Sequence, residues 1–153
     1  MREQITKLLM LLLTLCIIFG IFWGLKQQNW VTIPQMDNTM EPEYPAGTYH
    51  VGVAPEKMDD IVVGKAYAFM VPGSPQMEKR VAWLIAKEGQ TVELKDKAVH
   101  VNGIKTEVTI NIGKRTMAPF IVPRGCVYMM STIPEKDSMT FGPIPLRNLA
   151  GQL

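Results

Sequence analysis

Few side chains in this sequence are equipped for chemistry, and their types narrow the choices. The 153 residues hold two histidines, two cysteines and only three serines, Ser74, Ser131 and Ser138. His50 and His100 are far apart, and each flanks a valine in a strand-like run, so both read as ordinary strand or surface residues. Cys16 lies inside a long apolar stretch and Cys126 far outside it, which leaves no zinc spacing and no disulfide framework. Composition alone singles out no catalytic group among the residues that are left. A hydroxyl is a poor nucleophile at its free pKa and needs a base. A lysine serves as that base only where an apolar setting drives off its proton near neutral pH. Lys79 stands at the head of such a setting, since Val81, Ala82, Trp83, Leu84 and Ile85 follow it in one apolar run. On its own context, a solvated strand lysine beside Arg80 is the favoured reading.

Two kinds of element must position these groups. Residues 8–25 carry no charge and, apart from Thr14, are apolar or glycine. A membrane-spanning helix needs roughly 17–25 such residues. The stretch has no polar face, as a buried core helix would, and it ends in the bulky Ile21-Phe22-Trp23-Gly24-Leu25 rather than in the small residues of a cleaved leader. Trp23 and Trp30 suit the far interface. Arg2 and Lys7 precede the stretch and Lys26 follows it. That excess predicts a cytoplasmic amino terminus, with the rest of the protein in the periplasm or outside the cell membrane. The expected organisation is residues 1–7 in the cytoplasm, 8–25 as an anchor in the inner membrane, 26–32 as a polar linker and 33–153 as one domain. Charges beyond residue 26 balance, so nothing points to a nucleic-acid surface.

Within the domain the pattern is that of strands. Short β-prone runs at 49–53, 61–63, 66–71, 80–85, 91–94, 98–101 and 126–130 are separated by Gly and Pro turns, and Asn102-Gly103 is a strong hairpin signal. No long amphipathic helix follows the anchor, so the fold class is mainly β. The 11 methionines are scattered and read as adaptable core fillers.

Four segments, in order, take the reading further. They are Thr39-Met40-Glu41-Pro42 with Pro45-Ala46-Gly47; Gly64 and Phe69 with Pro72; Lys79-Arg80-Val81 with Gly89-Gln90-Thr91-Val92 and Val101-Asn102-Gly103; and Val122-Pro123-Arg124-Gly125 with Met129-Met130, Asp137-Ser138 and Phe141-Gly142-Pro143. Together they resemble the type I signal peptidases of the Ser/Lys class, whose patterns are Ser-Met-x-Pro, Gly-Asp-x-Val-x-Phe, Lys-Arg-Val and Met-Gly-Asp-Asn followed by Asp-Ser-Arg. The resemblance covers about residues 33–151 and implies a signal-peptidase/LexA-like antiparallel β core behind one amino-terminal transmembrane helix. It implies that Thr39 is the nucleophile and Lys79 its base, with Met40 and Pro42 shaping the turn and Asp137 and Ser138 supporting the lysine. Met36, Met77 and Leu84 become walls of a groove that binds an extended peptide beside the Lys79 strand. No cofactor and no metal is implied. The partners implied are membrane lipid, an exported pre-protein or pro-pilin, and secretion or conjugation machinery.

The departures matter as much as the matches. Threonine replaces the serine, and its methyl restricts χ1 and crowds the attack. Asp37 stands where family members commonly carry a second serine near the oxyanion, and a carboxylate there opposes developing negative charge. The Gly-Asp-Asn turn reads Ser131-Thr132-Ile133, and the arginine after Asp-Ser is Met139. Two readings follow. One is a working Thr/Lys endopeptidase of the short type that serves conjugative transfer; the other is an inactive relative that binds peptides or assists assembly.

Overall fold

The computed structural model describes residues 2–26, 29–32, 40, 43–45 and 47–153. Helix α1, Arg2–Lys26, contains the apolar window Gln4–Gly24, long enough to cross a bilayer. It begins ahead of the expected residue 8, because apolarity marks a membrane window, while Glu3, Gln4 and Lys7 are themselves good helix formers. The described side chains between residues 4 and 24 are all exposed. The segment expected as a linker is partly a strand: β1, Asn29–Thr32, pairs antiparallel with β2, Thr48–Val51.

The remainder of the described chain is built from short antiparallel strands. In order they are β3 (Ala66–Met70), β4 (Lys79–Lys87), β5 (Thr91–Lys95), β6 (Ala98–Val101), β7 (Ile104–Lys105), β8 (Met117–Ile121), β9 (Cys126–Met130), the single-turn helix α2 (Ser138–Phe141), β10 (Ile144–Pro145) and β11 (Leu149–Gln152). One sheet runs β10-β9-β4-β3-β11 and a second β7-β6-β5-β8. Asn102 and Gly103 form the β6–β7 turn, both at positive φ (52° and 78°) as that turn requires. The stretch 61–63, expected as a strand, joins no ladder. Ile61 is buried, but the Val62 N–H is taken by the Tyr67 hydroxyl at 3.0 Å, and Gly64 turns the chain at φ 86°.

Strand β4 sits in the middle of the larger sheet and separates two apolar clusters. Because side chains alternate along a strand, Val81, Trp83 and Ile85 fall on one face. They pack there with Met40, Val51, Ala66, Ala68, Ile110, Ile112 and Met130. Ala82 and Leu84 fall on the other, with Tyr67, Phe69, Val127, Met129 and Ile144. A register slip against β9 between Leu84 and Ala86 brings Ala86 into the first cluster next to Ile85.

Candidate active site

Lys79 opens β4 and faces Met70 of β3 in register. By the same alternation it shares its sheet face with Val81 and Trp83, the face against which Met40 packs. Its side chain is exposed, whereas the sequence led us to expect burial; the apolar run behind it begins only at Val81. Its neighbours Glu78 and Arg80 form an ion pair on the opposite side of the strand. Met77, in the loop leading to β4, is 73% exposed and adopts positive φ (50°). Leu84 lies in the second cluster with no exposed surface, so it lines no groove; its even register with Ala82 puts it on the face away from Lys79. Thr39, Asp37, Met36 and Pro42 fall outside the described residues. Met40, directly after Thr39, is 2% exposed, and its carbonyl accepts from Tyr44 N–H at 2.9 Å to close a turn. Beyond that turn a cleft of about 450 Å³ opens on the same sheet face, lined by Glu43, Gly64, Lys65, Trp83 and Val108.

The second half of the site is the chain that leaves β9. Antiparallel pairing of Trp83 with Met130 means that the chain after Met130 heads toward the Lys79 end of β4. It leaves the ladder at Ser131, whose N–H turns to Asp137 Oδ2 at 3.0 Å, and whose hydroxyl donates to the Ile133 carbonyl at 2.7 Å. Asp137 has no exposed surface and caps α2, its Oδ1 accepting from Met139 N–H at 2.8 Å. Ser138 Oγ accepts from Met129 N–H at 2.9 Å and so ties the helix back to β9. Burial raises the Asp137 carboxyl to about 6; its backbone donors Ser131 and Met139 and the Arg115 guanidinium pull the other way.

Arg115, on the loop between β7 and β8, is the residue that the sequence did not disclose. Its Nη1 lies 3.4 Å from Asp137 Oδ2 and 3.9 Å from Met139 Sδ, and its Nη2 donates to the Ser131 and Thr132 carbonyls at 3.1 and 3.4 Å. The side chain is 12% exposed. Nothing in its own neighbourhood, Gly113-Lys114-Arg115-Thr116, announces this. The available signal was indirect: a retained Asp-Ser pair whose following arginine had become Met139.

The whole of this arrangement, from residue 4 to residue 153, matches the family model for "Signal peptidase, peptidase S26". The chain belongs to the peptidase S26 signal peptidase family. It is 29% identical over 104 residues to the thylakoidal processing peptidase 1, chloroplastic, of Arabidopsis thaliana, which covers 63% of this chain and 31% of that protein. It therefore spans about a third of the length of that curated relative. In fold it is similar to the crystal structure of a signal peptidase I from Enterococcus faecalis, with a TM-score of 0.50 and 22% identity over 61% of this chain and 96% of that one. The mainly β signal peptidase I-like fold expected from the four segments is therefore the fold found, with one amino-terminal apolar helix ahead of it.

Proposed function

We propose that this signal peptidase-family chain is a membrane-anchored endopeptidase that removes the leader from an exported protein. The Thr39 hydroxyl attacks the peptide carbonyl and Lys79 takes its proton. The observation that carries the reading is the placement of Lys79 on the sheet face where Met40, the covalent neighbour of Thr39, is buried. Burial is what lets a lysine shed its proton near neutral pH. Lys79 is exposed in the free chain, so on this reading the bound peptide supplies that burial by covering it. Ser138, held through its oxygen by Met129 N–H, keeps a proton to donate and on this reading supports the turn beside the base rather than touching it. Asp137 holds the start of the helix that presents it.

The substrate is an extended segment lying along β4, with exposed Met77 as one wall. Trp83 lies four residues from Lys79, roughly 13 Å at strand rise. The cleft at Trp83 thus receives side chains some four positions from the bond cut. By the family resemblance, a pro-pilin of a conjugation or secretion system is the proposed substrate. The anchor is α1 in the cell membrane, with the amino terminus cytoplasmic and the β domain on the far side. Cleavage of candidate pre-proteins by the purified full chain in detergent, lost in Thr39→Ala and in Lys79→Ala, is the expected result. Cleavage that persists in Thr39→Ala overturns the nucleophile.

One observation favours a second reading, a subunit that holds peptides without cutting them. The open position of Lys79 leaves it hydrated unless a ligand seals it. On that reading the wild type binds leader peptides, cuts none, and both alanine variants bind as it does.

A further inference from the structure

Arg115 belongs to none of the segments that carry the family resemblance, yet its head group meets the site's supporting turn at Ser131, Thr132 and Asp137. The local sequence explains how it gets there. Ile110 and Ile112 are buried in the cluster that holds Met40 and Met130, so they pin the loop to the same sheet face. Asn111 Oδ1 accepts from Gly113 N–H at 3.1 Å, and Arg115 N–H donates to the Ile112 carbonyl at 3.1 Å, which closes a tight turn. Arg115 Nε donates to that same Ile112 carbonyl at 2.9 Å, and Nη2 to the Asn111 carbonyl at 3.0 Å. The guanidinium is thus fixed from its own loop first, and only then spans to Asp137 and to the Ser131 and Thr132 carbonyls. A planar fork of five donors can serve both sides at once, which a lysine ammonium cannot do with the same geometry.

We infer that Arg115 is a positioning residue of this site, supplying from the loop before β8 the guanidinium that an Asp-Ser-Arg pattern would carry at residue 139, and locking residues 131–138 so that Ser138 is presented at a fixed place. The contact of Nη1 with Met139 Sδ at 3.9 Å supports this, because it places the cation beside the residue where an Asp-Ser-Arg pattern would have its arginine. The part of the inference that concerns peptide cleavage rests on the function proposed above; the clamp on Asp137 does not. Beside its backbone donors, two ionisable groups among the described residues bear on the charge of Asp137. Arg115 faces it from the loop. Tyr128 faces it from β9, its hydroxyl 3.2 Å from Met117 Sδ, and burial with the Asp137 charge pushes that phenol up to about 12, so it stays neutral over the range of interest.

The experiment is a carboxyl-13C titration of aspartate-labelled full chain in detergent, with Asp137→Asn assigning the signal. It is run beside steady-state cleavage of a leader peptide. Arg115→Gln is expected to move the Asp137 midpoint upward by a full pH unit or more, and to lower kcat at least tenfold with KM within twofold. Adding Met139→Arg to Arg115→Gln restores the cation from the other side. That double variant is expected to bring back more than half of the midpoint shift and of kcat. Should Arg115→Gln fail to fold, the double variant decides alone, and an unfolded or inactive double variant overturns the inference. An unmoved midpoint in Arg115→Gln also overturns it, and a moved midpoint with unchanged kcat refutes the role in the reaction. A wild type that cleaves nothing strikes down the peptidase function and the catalytic half of this inference, while the titration still decides the clamp.

Discussion

On the proposed Thr39/Lys79 mechanism three side chains set the behaviour of the site, and each makes a separate forecast. Threonine keeps the hydroxyl of the missing serine but adds a methyl on the same carbon, which stiffens χ1. Thr39→Ser should therefore preserve or raise the rate of leader cleavage, whereas Thr39→Ala and Lys79→Ala should each lower it by roughly 10³-fold or more, since nucleophile and base act as a unit. Peptide cleavage assays on the full chain check all three. Asp137 is different because its effect is read in stability. Burial raises its folded carboxyl from the ordinary aspartate value to about 6. The native state therefore holds a proton that the unfolded chain releases between about pH 4 and 6. The contribution of this group to stability is complete below that window and is lost as pH rises through 6. Thermal unfolding of the wild type should show this fall, worth on the order of 3 kcal/mol, and Asp137→Asn should flatten that part of the profile. At this scale the order of the segments along the chain singled out Lys79, Asp137 and Ser138 as candidates. It could not disclose Arg115, because a cation that works across a gap of more than twenty residues leaves no local pattern.

The strands show where pattern reading succeeds and where it stops. β3, β4, β5, β6 and β9 were legible because each is a run of β-prone residues, most of them flanked by Gly or Pro, and the Asn102-Gly103 turn fixes one hairpin outright. β8 was missed because Pro119 stands in its middle and a proline argues against a strand. The structure tolerates it at the sheet edge, within the stretch where the register against β5 slips. β1 was hidden in a polar stretch, and residues 61–63 had the right side chains but gave a backbone donor to a tyrosine instead of a ladder. β11, Leu-Ala-Gly-Gln, has no β-branched residue at all. Its place is set by close backbone contact: Gly52 N–H donates to the Gln152 carbonyl at 2.8 Å, and Gly151 adopts φ 148°. A Cβ at Gly151 would be driven into the Gly52 carbonyl and to 2.6 Å from Val51 Cγ1. Gly151→Ala should cost at least about 3 kcal/mol by the combined clash and backbone strain, seen as a lower unfolding midpoint in urea. Gly73→Ala, with open space around the same atom, should cost less through strain alone.

For the molecule as a whole, the decisive division is between a helix whose described side chains are exposed and a β domain with two buried clusters. An apolar helix of that length without protein cover calls for lipid. The full chain should stay with the membrane fraction through alkaline carbonate washing. A reporter that works only outside the cytoplasm, fused after Leu153, should be active; activity of a cytoplasm-only reporter there would reverse the orientation drawn from Arg2 and Lys7. The closure of the larger sheet carries one more consequence, for how the protein is made. β11 pairs with β3, and the Tyr67 hydroxyl donates to Gln152 Oε1 across 85 residues of chain. Contacts so distant along the chain are slow to form, since loop-closure entropy is spent before they give anything back. Until they form, β3 keeps an unpaired rim of N–H and C=O groups open to any other strand. On the proposed orientation, a newly made molecule thus passes through an interval in which it is itself an extended, unprotected peptide held at the membrane surface, open to capture by neighbouring chains and to any proteases there.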